Sequence, residues 1–122
     1  MMKALTIAAL CLGLCGSPLW AEEALSTSIG DLYKERNALN GKLVKLQGEV
    51  VKVNNQIMQR NFLHLQDGTG SAEDGSNDIT ITSQDTANVG DRVTVTGTLI
   101  LDHDFGSGYR YPLLVEKASI SR

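Results

Sequence analysis

Along most of this chain apolar and polar residues alternate, the period of a strand with one buried face. Five such runs stand out, over residues 42–53, 61–66, 78–82, 92–101 and 110–120, rich in Val, Ile, Thr and Leu and separated by clusters of Gly, Asn and Asp at turn positions. The longer runs are long enough to bend and serve two sides of a barrel. One stretch breaks the alternation. Over residues 28–39, Ile29, Leu32, Tyr33 and Leu39 fall on one face of a single short helix, with Ser28 placed to cap it and Asp31 in its first turn. Asn40-Gly41 supplies the stop. Between residues 82 and 91 there is room for at most one helical turn.

Two of the runs echo each other. Gly41, Val44, Leu46 and Gly48 stand at the same offsets as Gly90, Val93, Val95 and Gly97. The leading glycine of each reads as a turn and the trailing one as a bend in a long strand. Two long equivalent strands are what a small closed barrel requires.

The first residues follow neither period. Lys3 is the only charge before Glu22, residues 4–14 are almost wholly apolar, and Gly16, Ser17 and Pro18 break the run ahead of Trp20-Ala21. That layout predicts a signal peptide over residues 1–21, too short to span a bilayer, with cleavage after Ala21 and a periplasmic destination. A polar lead and helix over residues 22–40 and one domain over 41–122 would follow. Both cysteines, Cys11 and Cys15, lie in the leader, so the processed chain would carry no thiol chemistry. Leu10 and Leu14 occupy the positions before them where lipidation would need a small residue. No second long apolar run predicts a membrane span.

Charge narrows the function. The full chain has 11 Lys and Arg against 14 Asp and Glu. Loss of residues 1–21 removes Lys3 alone, leaving 10 basic and 14 acidic residues, a net of −4. Modules that track phosphate backbones carry a basic surplus instead. Lys42, Lys45, Lys52, Arg60 and Arg110 could still form a local basic strip.

The segment Phe62-Leu63-His64-Leu65-Gln66-Asp67-Gly68-Thr69-Gly70 resembles the aromatic-x-x-Leu-x-Asp-x-Thr-Gly second strand and turn of OB-fold domains. Such domains occur in the anticodon-binding parts of tRNA synthetases and in several DNA-processing proteins. The stretches from Val44 to Val53 and from Val89 to Gly97 fit the same pattern, so the resemblance covers residues 41–120. A narrower resemblance rests on Met58, Arg60-Asn61, His64, Gln66-Asp67, Asp104-Phe105-Gly106, Tyr109 and Tyr111. It is to small exported bacterial OB-fold proteins of the periplasm, some labelled nucleic-acid-binding by fold and some NrfJ-like. The resemblance implies a mainly β, five-stranded Greek-key barrel that meets its ligand on the outer face of strands two and three and on the four-to-five loop.

Alternation puts Phe62, His64 and Gln66 on the face opposite Leu63 and Leu65. Phe62, Tyr109 and Tyr111 are candidates to stack on a ligand, and Arg60, Asn61, His64 and Gln66 to hydrogen-bond it. The alternative for Phe62 is packing under residues 54–60 or against the helix. His64 and His103, with Asp102 and Asp104, are candidate metal ligands, though no spacing brings them together. The oxygen-rich stretch 67–78 lacks the central Gly and closing Glu of a calcium loop. No nucleophile–base pair is recognisable, so the chain reads as a non-enzyme with no cofactor. The expected function is a periplasmic binding or accessory module for a peptide, oligosaccharide or protein partner. Single-stranded nucleic-acid binding, by fold analogy, and a metal-responsive stress protein are the alternatives.

Overall fold

A computed structural model describes residues 23–106 and 108–122, with Tyr109 described through its backbone alone. The expected leader, residues 1–21, lies outside the described residues. The chain is mainly β. Its elements run β1 (Leu25–Ser26), α1 (Ile29–Lys34), α2 (Arg36–Leu39), β2 (Leu43–Ile57), β3 (Arg60–Gln66), β4 (Ile79–Ser83), β5 (Arg92–Gly106) and β6 (Tyr109–Ser121). No helix among the described residues is long and apolar enough to cross a membrane.

The strands follow the order β1-β2-β3-β4-β6-β5, and β5 pairs back onto β2, so five of them close a ring. All contacts in the ring are antiparallel except β4 with β6. β2 serves both sides: Leu43 to Glu49 pair with β5, and Glu49 to Ile57 with β3. The echoing segments are partners in this closure, with Val44 opposite Gly97 and Gly48 opposite Val93. A Cβ on Gly97 would stand 2.7 Å from Val115 Cγ1, and one on Gly48 would stand 2.6 Å from the Gln66 carbonyl oxygen. The trailing glycines are therefore places where a neighbouring strand comes close. Inside the ring, Val44, Leu46, Val50, Leu63, Leu65, Ile79, Ile81, Val93, Val95, Leu99 and Val115 form the core.

The sheet has six strands, not the five expected. Leu25 and Ser26 come from the predicted polar lead and pair parallel with Val44 and Lys45. Two residues carry no alternation to read, and the edge of β2 not yet used by β3 is what recruits them. The single predicted helix is two short ones. All of residues 34–38 are exposed, so no buried side chain holds the turn between Tyr33 and Leu39, and the helix breaks at Glu35 (φ −108°, ψ 22°).

Both helices cover one end of the ring, burying Ile29, Leu32 and Leu39 in the core. The start of α1 is held by three acceptors. Ser28 Oγ accepts from Asp31 N–H at 3.1 Å, Asp67 Oδ2 accepts from Ile29 N–H at 2.9 Å, and Thr69 Oγ1 accepts from Gly30 N–H at 2.8 Å. Thr69 in turn donates its N–H and its hydroxyl to Asp67 Oδ1. Burial raises the Asp67 pKa, but the bonds from the Thr69 hydroxyl and the Ile29 and Thr69 amides outweigh it and hold the carboxyl below its ordinary value. The Asp-x-Thr-Gly turn is thus a helix cap supplied from across the fold. Gly30 permits the approach, since a Cβ there would meet Gly70 N at 2.9 Å.

Candidate functional site

On β3, Leu63 and Leu65 enter the core while Phe62, His64 and Gln66 take the outer face. Register places Phe62 opposite Thr82 and His64 opposite Thr80 on β4. Asp78, just before β4, organises the lower half of this face. Its Oδ1 lies 2.7 Å from His64 Nδ1 and its Oδ2 accepts from Gln66 Nε2 at 3.0 Å. Because a carboxylate only accepts, Nδ1 carries the proton in this contact. Tyr33 Oη donates to the Asp78 carbonyl at 2.5 Å, tying this row to α1. Burial, then the charges of Asp78 and Asp74, push the Tyr33 hydroxyl pKa up to about 12.

The upper half is aromatic. β5 runs on to Gly106 and β6 begins at Tyr109, so residues 102–106 and 109–111 pair as the end of a hairpin where a loop was expected. This hairpin covers Phe62. Phe105 meets it edge-on with ring centres 5.4 Å apart, and Tyr111 lies tilted at 5.9 Å. Phe105 and Tyr111 are 5.8 Å apart, and the Arg60 guanidinium sits 4.9 Å over the Phe105 ring. Phe62 is 4% exposed and lies outside the main core cluster. It therefore packs under the hairpin and offers a ligand no open ring face. Phe105 and Tyr111 hold the half-exposed positions instead.

Asn61 is also taken up internally. It is 8% exposed, its Oδ1 accepts from Gln56 N–H at 2.9 Å, and its Nδ2 donates to the carbonyls of Gln84 and Asp85. Both amide protons are committed, so Asn61 clamps the β2–β3 hairpin and is not free to bond a ligand.

His103 belongs to this face through its neighbours. Its ring packs edge-on to Phe105 at 4.3 Å and its Nε2 lies 3.4 Å from Glu116 Oε1. His64 is held by Asp78 and His103 by Glu116, while Asp104 accepts from Gly106 N–H. Asp102 is exposed in a positive-φ kink of β5. The four candidate metal ligands are not brought together, and no group of three or more metal-ligating side chains is placed for an ion among the described residues. In the stretch 67–78, Asp67 and Asp78 spend both carboxylate oxygens on protein donors, and Asp74 Oδ1 accepts from the Ser76 amide and hydroxyl.

Thr82 and Glu116 join the site without having been singled out in the sequence, and Asp78 and Phe105 figured there only as members of the stretches 67–78 and 104–106. Only the β3–β4 register and the extended hairpin bring them there.

No protein-family model matches the chain, and no curated protein does. Among solved structures it is similar to a chain assigned as an aspartyl-tRNA synthetase from Leishmania major Friedlin, with a TM-score of 0.54 and 14% identity. The match covers 85% of this chain and 22% of the other, so this chain spans about a fifth of its neighbour. That likeness concerns the fold, and the closed mainly β ring is compatible with an OB-fold.

Proposed function

We propose that the chain is an exported OB-fold binding module, not an enzyme, and that it holds an extended peptide across the outer face of β3 and β4. The observation that carries this reading is the row His64, Asp78 and Gln66. It is a set of pre-oriented hydrogen-bonding groups, half-exposed, running into the Arg60–Phe105–Tyr111 cluster. His64 and Gln66 are two residues apart on one strand, so their spacing of about 6.6 Å matches the repeat of an extended peptide. Their neighbour at the centre of the row is a carboxylate, which disfavours a phosphate backbone there. An oligosaccharide or a protein partner would use the same groups.

The test is NMR titration of the chain with C-terminally amidated oligo-alanine, a chitooligosaccharide and a short oligothymidylate. Oligo-alanine should move the amides of β3 and β4, and His64→Ala with Gln66→Ala should abolish the effect. A peptide that leaves those amides unmoved overturns the reading. The likeness to a synthetase chain favours a second reading, single-stranded nucleic acid. That reading requires oligothymidylate binding that weakens steeply with salt. Export is tested by the mature mass, which should correspond to an N-terminus at Glu22.

A further inference from the structure

Beside the aromatic cluster, where the parallel pairing of β4 and β6 ends, a cavity of about 230 Å³ opens to solvent. Arg60, Thr82, Gln84, Glu116 and Lys117 are among the residues that line it. Thr82 is 1% exposed, and its Oγ1 is the buried side-chain polar atom without a hydrogen-bond partner among the described residues. A native fold rarely leaves such a group unmade, because nothing offsets the water it has lost. Neighbouring donors and acceptors are engaged elsewhere. Ser83 Oγ donates to the Ala118 carbonyl, and Gln84 Nε2 to the Gln59 carbonyl at 3.0 Å.

The charges around the cavity are two cations, Arg60 and Lys117, and one carboxylate, Glu116, which His103 faces at 3.4 Å. Arg60 is held in place by the Phe105 ring. Lys117, an exposed residue, stands at a kink in β6, where its φ is +55° and the register of β4 and β6 shifts. The cavity wall therefore combines Thr82, whose hydroxyl has no protein partner, with two cations and one carboxylate, a net charge of +1. We infer that it binds the carboxylate of an amino-acid-sized ligand, such as the C-terminal residue of a peptide. Glu116 on the wall selects a monoanion over a phosphate dianion, and the volume is below that of pockets for drug-sized molecules. This deepens the peptide reading of the outer face, but it uses a different set of residues apart from Arg60.

The experiment is NMR titration of the ¹⁵N-labelled chain with N-acetylalanine, N-acetylalanine amide and inorganic phosphate. N-acetylalanine should saturably move the amides of Thr82, Ser83 and Ala118, and the amide analogue should not. Thr82→Val keeps the shape and should weaken N-acetylalanine about tenfold, whereas Thr82→Ser should retain binding. Lys117→Gln should weaken it by a similar factor. Equal shifts from the amide analogue, equal or larger shifts from phosphate, or no shifts at tens of millimolar would each overturn the inference. So would unchanged affinity in Thr82→Val. Because the test of the outer-face row uses an amidated peptide, either reading can fail while the other stands.

Discussion

Asp67→Ala is expected to destabilise the chain by about 2–4 kcal/mol, although residue 67 lies in a turn and is not part of the hydrophobic core. The Asp67 carboxylate accepts three hydrogen bonds, from the Ile29 amide and from the amide and hydroxyl of Thr69. Ile29 is fully buried, so its amide cannot turn to water when the acceptor goes. An unmade buried amide costs about 1–3 kcal/mol. Loss of a carboxylate at the positive end of α1 adds about 0.3–1 kcal/mol. The remainder comes from the slackened turn that aims Thr69 at Gly30. Urea unfolding followed by circular dichroism measures the sum, which should appear as a lower midpoint with an unchanged slope. Thr69→Val should cost less, about 1–2 kcal/mol. The double variant should lose less than the two added, because Asp67 holds the Thr69 hydroxyl in place. The carboxyl pKa is lower in the folded chain than in the unfolded one. Its contribution is therefore complete above the ordinary value of 3.8 and fades as pH falls through the lower folded value. A loss below about 0.5 kcal/mol for Asp67→Ala, or one seen only in the slope, would refute the capping argument.

Three further outcomes follow from other places in the fold. Gly30→Ala should destabilise by about 1–3 kcal/mol, because its Cβ would meet the Gly70 and Thr69 backbone and side chain that cap the helix; thermal melting checks it. At the β2–β3 tip, Met58 (φ 52°) and Gln59 (φ 66°) both sit in left-handed conformations, so Met58→Asn with Gln59→Gly should stabilise by about 1–2 kcal/mol in urea. Tyr33 should cost stability in alkali. Its folded pKa of about 12 lies above the ordinary value of 10, so stability is intact below pH 10 and falls as the unfolded chain alone ionises, by about 2 kcal/mol at pH 12 after solvent screening. A Tyr33→Phe variant should show a flatter pH profile over that window.

Legibility in the sequence followed locality. The strands over residues 42–53, 61–66, 78–82 and 92–101 were readable because alternate side chains enter one core, and the pattern survives without knowing the partner strand. β5 beyond Leu101 was not readable. Its residues 102–106 pair only with the other arm of the hairpin, outside the core, so no apolar alternation marks them. The Asp-Gly-Thr-Gly turn was visible as a turn, but its partner amides lie 38 and 39 residues upstream, and no local spacing encodes that contact. The same holds for the site. That Phe62, His64 and Gln66 share a face followed from period two alone. What covers Phe62, and which carboxylate orients His64, depended on the β3–β4 register and on the path of a hairpin tip.

The pairing of residues 43–49 with 92–98 sets a kinetic order for the molecule. The hairpins β2–β3 and β5–β6 join segments near in sequence and can form early, whereas that seam must bring together segments about fifty residues apart. Folding in the millisecond-to-second range is the expectation for so non-local a topology. Once the seam is made, each strand of the ring has neighbours on both sides, so none can peel away without opening its partners. Amide exchange at Val44, Leu46, Val93 and Val95 should therefore track global unfolding, while the hairpin tips exchange through smaller local openings.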